Sequence, residues 1–332
     1  MGVLSDRMRR AFSLMICVAA AAVTAAAESP LLNFVPAGAD FLVFADLGQL
    51  RSRTGFDKML ESSPAVRELL DDFEARYRVR LDHCSELLWA GDGKRLRGLL
   101  IRTDLPEARF RQGLRDGGTR FSLKKYGERE VLLVEAGSAI AQEQLRLGLC
   151  YLEQNSVLAA EERGLELFFA GLQPRGMGRS AFLVPDGAPL LWGACNLRAM
   201  LSPAGKPVDP VAGAFFRNVR RAMADVRLAA AGGWSLRMRA ECDDEKSAAM
   251  LAAALPGYLA MGAGLFFAGY PQLASDVIAA FRARAQGNFT VAELRVDGAL
   301  ARRLGEFLRS EAARRIIPPD PVPPDLQQRR AK

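Results

Sequence analysis

Residues 230–244 read AAGGWSLRMRAECDD. A glycine pair opens the stretch, strict alternation fills it, and two aspartates close it. In an extended chain successive side chains point to opposite faces. Trp234, Leu236, Met238, Ala240 and Cys242 therefore share one face, and Ser235, Arg237, Arg239 and Glu241 share the other. This pattern predicts a strand with one wet face, as antiparallel sheets have. Asp243 or Asp244 then caps a following helix. Arg237 and Arg239, on the wet face, are candidate surface contacts, and they would serve equally as solubilising charges.

The same pattern occurs earlier in the chain. An offset of 140 residues sets Gly93 on Gly233, Arg97 on Arg237, Asp104 on Asp244, Ala108 on Ala248 and Phe110 on Met250. An offset of 150 sets LVFADL (42–47) on WGACNL (192–197), and one of 160 sets Gly127 on Gly287 and Val131 on Val291. No single match is specific, but three in order, each joining like elements, predict a duplicated unit. Each copy reads as β-α-β-β-α-β, which places the protein in the α+β class, with helices on one face of a mostly antiparallel sheet. The expected boundaries are a first module over 28–172, a linker over 173–187, a second module over 188–315 and a Pro-rich tail over 316–332.

Local signals fill in these modules. Phe41–Leu47 is a near-continuous apolar run, expected to be a strand covered on both faces. Apolar residues from Phe56 to Tyr77 form a helical stripe that Ser63-Pro64 interrupts and restarts. Hairpin turns are expected at Gly91-Asp92-Gly93, at Gly127 and near Asn155. Asp104 is expected to cap a helix with Glu107 as its partner. Another helix is expected from Asp209 and Pro210, with Val211, Phe215, Val219 and Met223 on its stripe. Leu165, Phe168, Phe169 and Leu172 mark a helix closing the first module, and Leu300, Leu304, Phe307 and Leu308 one closing the second. The uncharged stretch 248–268 is long enough to span a bilayer. Pro256-Gly257 and the glycines beyond it favour a buried helix, a turn and a second helix, with a docking surface or a span as the other readings.

The lead-in Pro36-Ala37-Gly38-Ala39-Asp40, the strand endings Asp46-Leu47 and Asn196-Leu197, and a capped helix after a hairpin resemble exported bacterial proteins of unknown function built from tandem ferredoxin-like α+β modules. The resemblance covers roughly residues 34–310 and rests on structural motifs. It implies fold and export, and brings no catalytic residue with it.

The N-terminus agrees with export. Arg7, Arg9 and Arg10 precede the uncharged run Ala11–Ala25, and Ala25-Ala26-Ala27 supplies small residues before a cleavage point. Residues 1–27 are read as a signal peptide cut near Ala27, which places the protein in the periplasm or cell envelope. An uncleaved anchor is the other reading, and it leaves membrane association open. Cleavage lowers the net charge from +7 to +5. The basic residues are scattered, so nucleic acid is not an expected partner. Cys84, Cys150, Cys195 and Cys242 allow three pairings, which sequence does not choose between; for cysteines in apolar strands, buried free thiols are the expected state.

Few chemistries survive inspection. His83 is the single histidine, so any Ser-His-Asp site must use it. Its neighbour Cys84 points the other way in an extended segment, which leaves His83 as a loop residue. Asp71-Asp72, Glu161-Glu162 and Asp243-Asp244 are sequence neighbours that do not face one another on a helix, and capping or solvation accounts for them. Gly176-Met177-Gly178 lacks the Gly-Lys-Ser/Thr of a phosphate loop, and no CxxC supports zinc or redox chemistry. No catalytic, cofactor or metal residue is therefore assigned. The expected function is an exported, non-catalytic binding or scaffold protein of the bacterial envelope, its ligand or envelope partner unknown. An envelope hydrolase using carboxylates and a membrane-anchored envelope component are the alternatives.

Overall fold

The computed structural model describes residues 29–54, 74, 80–92, 97–116, 120–136, 145–153, 155–172, 181–187, 189–201, 216–229 and 233–309. The expected signal segment, the Phe56–Tyr77 stripe apart from Glu74, Gly93 of the expected turn, residues 173–180 of the expected linker, the expected helix start at Asp209-Pro210 and the Pro-rich stretch 316–332 lie outside them. The described residues form two compact units, divided between Ala181 and Phe182.

The first unit contains β1 (Phe41–Asp46), α1 (Leu47–Thr54), β2 (Cys84–Gly91), β3 (Arg97–Thr103), α2 (Glu107–Asp116), β4 (Phe121–Tyr126), β5 (Arg129–Ala136), β6 (Leu145–Leu152), β7 (Ser156–Glu161) and α3 (Glu162–Gly171). Its strands run in the order β1-β2-β3-β7-β6-β5-β4, and every neighbouring pair is antiparallel. The second unit contains β8 (Leu191–Asn196), α4 (Leu197–Leu201), β9 (Val219–Leu228), β10 (Trp234–Cys242), α5 (Glu245–Phe266), α6 (Pro271–Ala279), β11 (Phe281–Gln286), β12 (Phe289–Val296) and α7 (Gly298–Arg309). Its order is β8-β9-β10-β12-β11, again antiparallel throughout.

The α+β class holds, but the ferredoxin-like arrangement is not what the ladders display. A split βαβ unit uses a helical crossover to bring two strands together in parallel. Here β1 pairs with β2 and β8 with β9, and the helical connection from β3 leads to the far edge at β4. The sequence reading also lacked two strands. The expected helix at Val219 and Met223 is the strand β9, because a spacing of four keeps two residues on one side of a helix or of a strand. The other is β11, where Phe281-Arg-Ala-Arg-Ala-Gln alternates with period two and leads into the Gly287 turn.

The repeat offsets fare unequally. At 150 the correspondence is residue for residue: Asp46 Oδ1 accepts from the Gln49 N–H at 2.8 Å, and Asn196 Oδ1 from the Ala199 N–H at 3.2 Å, each at the start of a helix. At 160, Gly127 and Gly287 both turn hairpins with positive φ, 62° and 57°. The offset of 140 fails. It sets buried Phe110 on exposed Met250, and exposed Ala108 on buried Ala248. Asp244 does cap α5, through the Ser247 N–H, whereas α2 begins only at Glu107, which pairs with Arg111. Asp104 instead meets His83.

In the first unit, helices cover both faces of the sheet rather than one. Gly98, Ala160 and Gly148 are directly paired across β3, β7 and β6. A Cβ on Gly98 would overlap the Phe168 ring, and one on Gly148 would overlap Leu165. This trough lets α3 lie close to the sheet, with Leu165 and Phe168 fully buried. On the other face, Phe110 and Leu114 of α2 pack with Leu132, Val134 and Leu149. Near β1, no described helix packs on that face. Val43, paired with Trp89, is 39 % exposed and Trp89 45 %, so among the described residues β1 is not covered on both sides as expected.

In the second unit α5, α6 and α7 share one face. Ala263, Phe267, Leu273, Val277, Leu300 and Phe307 form a core with Val296, while Ala248 and Leu251 pack with Val219 and Cys242. The buried Thr290 hydroxyl donates to the Ala248 carbonyl at 2.8 Å and ties α5 to β12. α5 runs unbroken through Pro256. The expected turn falls later, at Phe267–Tyr270, where Gly269 has φ 88°. The helix is not the buried element foreseen, since Met250, Tyr258, Met261 and Leu265 are exposed.

Filling the trough should destabilise the first unit. Gly98→Ala and Gly148→Ala are each expected to lower stability by about 1–3 kcal/mol through overpacking, read as a lower urea midpoint with an unchanged m-value.

Candidate functional site

Three sets of side chains carry charged or reactive groups. The first is the corner where β2 begins. His83 lies in a short 3-10 turn, half exposed, with Nδ1 2.8 Å from Asp104 Oδ1. Arg51 of α1 donates to the carbonyls of Asp82 and Cys84, at 3.3 and 3.0 Å. Cys84 is buried beside it, and burial pushes its thiol up to about 11 against the opposing pull of Arg51. His83 and Cys84 do not converge. The partner of His83 is Asp104, a pairing brought about by the β2–β3 ladder, with 20 intervening residues hiding it from a local reading.

The second set comprises the acidic doublets and cysteines. Glu162 meets Lys124 at 3.1 Å and Arg146 at 3.8 Å. Asp243 meets Arg198 and Arg220, and the hydrogen bond from Arg220 holds its carboxyl below the usual carboxylate value. Asp244 is held low by the Ser247 N–H it accepts from. Asp71-Asp72 and Gly176–Gly178 lie outside the described residues. The four described cysteines are free. Cys195 is aligned with Ala222, and Ala222 with Ala240, which sets Cys195 and Cys242 two strands apart, about 10 Å and beyond disulfide reach. Among the described residues no group of three or more His, Cys, Asp or Glu is placed to hold a metal ion.

The third set is the sheet face of the second unit opposite α5. Pairing places Arg237 between Asp225 of β9 and Glu293 of β12, and its guanidinium lies 3.5 Å from Glu293. Arg295 meets Glu293 at 2.8 Å, and Arg282 of β11 is aligned with Glu293 as well. Arg239 places its guanidinium 4.1 Å from the centre of the Phe289 ring, a cation–π contact. Glu241 is aligned with Arg221 and paired with it at 2.5 Å. Arg284, opposite Val291, shares this face. The face thus carries Arg221, Arg227, Arg237, Arg239, Arg282, Arg284 and Arg295 against only Asp225, Glu241 and Glu293. Sequence reasoning found Arg237 and Arg239. Arg221, Arg227, Arg282 and Arg284 escape it because β9 and β11 do not read locally as strands, and Arg295 on β12 because its side of the sheet is set by pairing with β10.

Asp225 is the deepest charge here, 2 % exposed. Burial raises its pKa, while the hydrogen bond from Arg227 pulls it down. Arg227 also donates to the Asp186 carbonyl, which holds the pair in place.

No family model, curated protein or solved structure matches the chain.

Two measurements follow from these environments. Burial raises all four thiols, and those of Cys84, Cys150 and Cys195 reach about 11. These four should therefore react slowly with Ellman's reagent at neutral pH and rapidly once urea unfolds the chain; fast labelling of the folded protein at these positions would contradict the structure. For Asp225, a raised folded pKa means that the native state holds this proton more tightly than the unfolded chain. Its contribution should therefore weaken folding as pH rises from its ordinary 3.8 through the raised value. In Tm-against-pH profiles, Asp225→Asn should remove that downward component.

Proposed function

We propose that this chain is a non-catalytic binding or scaffold protein of the bacterial envelope, exported and cleaved near Ala27, that holds an acidic partner on the arginine-rich sheet face of its second unit. One observation carries the reading: seven arginines and three acids aligned across β9, β10, β12 and β11. Paired acids hold part of the array in fixed geometry, and the arginine surplus gives the face a positive potential. Planar guanidinium groups suit carboxylate or phosphate oxygens, which they bind through paired N–H donors. A flat ladder suits a partner that lies along it better than a small molecule, which calls for a concave pocket.

The shared order β1-β2-β3 and β8-β9-β10 supports descent of the two units from one duplicated module. On that reading the first unit has gained a hairpin, and the closing helices α3 and α7 have settled on different faces.

Chromatography on immobilised polyglutamate with a salt gradient tests the proposal. Arg237→Glu combined with Arg284→Glu should elute at clearly lower salt than the wild type. Arg53→Glu combined with Arg109→Glu makes the same charge change on the first unit and should elute close to the wild type. Equal losses from both pairs would mean that net charge alone drives binding, and the assignment of this face would fall.

A further inference from the structure

α5 turns an apolar strip away from the sheet. Positions three and four apart share one side of a helix, and Met250, Ala253, Gly257, Met261 and Leu265 line that side. Met250, Met261 and Leu265 are 62 %, 61 % and 74 % exposed. No charged residue occurs between Lys246 and Asp276. The strip continues into the α5–α6 corner, where Gly264, Phe267, Ala268, Pro271 and Ile278 line an open hollow of about 350 Å³.

We infer that this strip and corner form a lipid-contact surface, with α5 lying in the plane of a bilayer and its outer face among the acyl chains. Three observations favour lipid over the other occupants. A core helix is mostly buried, yet only 11 % of the apolar window of α5 is buried. A spanning helix is ruled out by the inner face, where Ala248, Leu251 and Ala252 are buried and Thr290 is bonded to the Ala248 carbonyl. A second copy or another protein is disfavoured by size and chemistry. The 22 residues make a strip about 33 Å long and about 10 Å wide, roughly 330 Å², against about 800 Å² per partner in a stable interface. Protein interfaces also carry a polar rim, and from Met250 to Leu265 the exposed side of this helix offers only the Tyr258 hydroxyl, with Lys246 at its N-terminal end and Tyr270 at the corner. Tyrosines beside an uncharged apolar surface suit the headgroup level of a membrane. The strip faces away from the arginine-bearing side of the sheet, so this inference and the proposed function can fail separately.

The test uses the full chain carrying Leu265→Trp, mixed with vesicles of phosphatidylethanolamine and a minority of phosphatidylglycerol, with and without bromine on the acyl chains. Subtracting the wild-type spectrum removes the three native tryptophans. The expected result is a blue-shifted emission that brominated chains quench about twofold or more, as for a side chain lying below the headgroups. Adding Met261→Lys should abolish the quenching while circular dichroism stays unchanged. Leu123→Trp, on the exposed edge strand β4, should remain unquenched. Because the readout is local to residue 265, attachment through the N-terminal segment cannot imitate it. An unquenched Leu265→Trp overturns the inference. So does a blue shift that needs no vesicles and grows with protein concentration, which would assign the strip to a second copy.

Discussion

The second unit depends on the register of β10 between β9 and β12. Side chains alternate with period two, so a slip of one residue would exchange the two faces entirely. In the observed register Trp234, Ala240 and Cys242 meet the helices, Arg237 and Glu241 meet cross-strand charges, and Arg239 meets the Phe289 ring. Arg221, Arg237 and Arg282 each lie opposite an acid, and those pairings reinforce the same alignment. Burial on one face and charge complementarity on the other therefore agree on one alignment, which is the condition for a strand to have a single stable partner register.

How closely a helix may approach the sheet is the next constraint. In the first unit Gly98, Ala160 and Gly148 make the trough that receives α3. In the second, the small side chains are on the helix: Ala248, Ala252 and Ala263 face the interior. The alanine richness that makes α5 fit the sheet also leaves its outer side apolar and small. One composition thus serves the core inward and leaves an uncharged strip outward. In the second unit α5, α6 and α7 share one face, and among the described helices none packs on the arginine-bearing side of β10, β12 and β11.

Much of the reactive chemistry in the described residues is engaged in holding the structure. Burial keeps the thiols protonated, Asp243 and Glu162 are each shared between two cations, and Asp244 and Asp297 cap helices. The pair His83–Asp104 stands at a sheet corner beside Arg51, which is bonded to backbone carbonyls. The arginine face differs from these in its surplus of one sign, and it is this surplus that gives it a use beyond stability.

Local sequence determined the elements whose signals lie within a few residues: the alternation of β10, the Gly127 turn, the aspartate cap of α5, and the buried stripes of α3 and α7. It also singled out Arg237 and Arg239. Tertiary structure alone decided what depends on partners far along the chain. Val219 and Met223 fit a helix or a strand equally well until β10 supplied the ladder, and Pro256 would break a helix unless the sheet held its inner face. The sidedness of α3 and α7, the meeting of His83 with Asp104, and the gathering of seven arginines on one face all follow from strand order. Strand order is set by which long-range pairings bury the most apolar surface, and no window of neighbouring residues contains that sum.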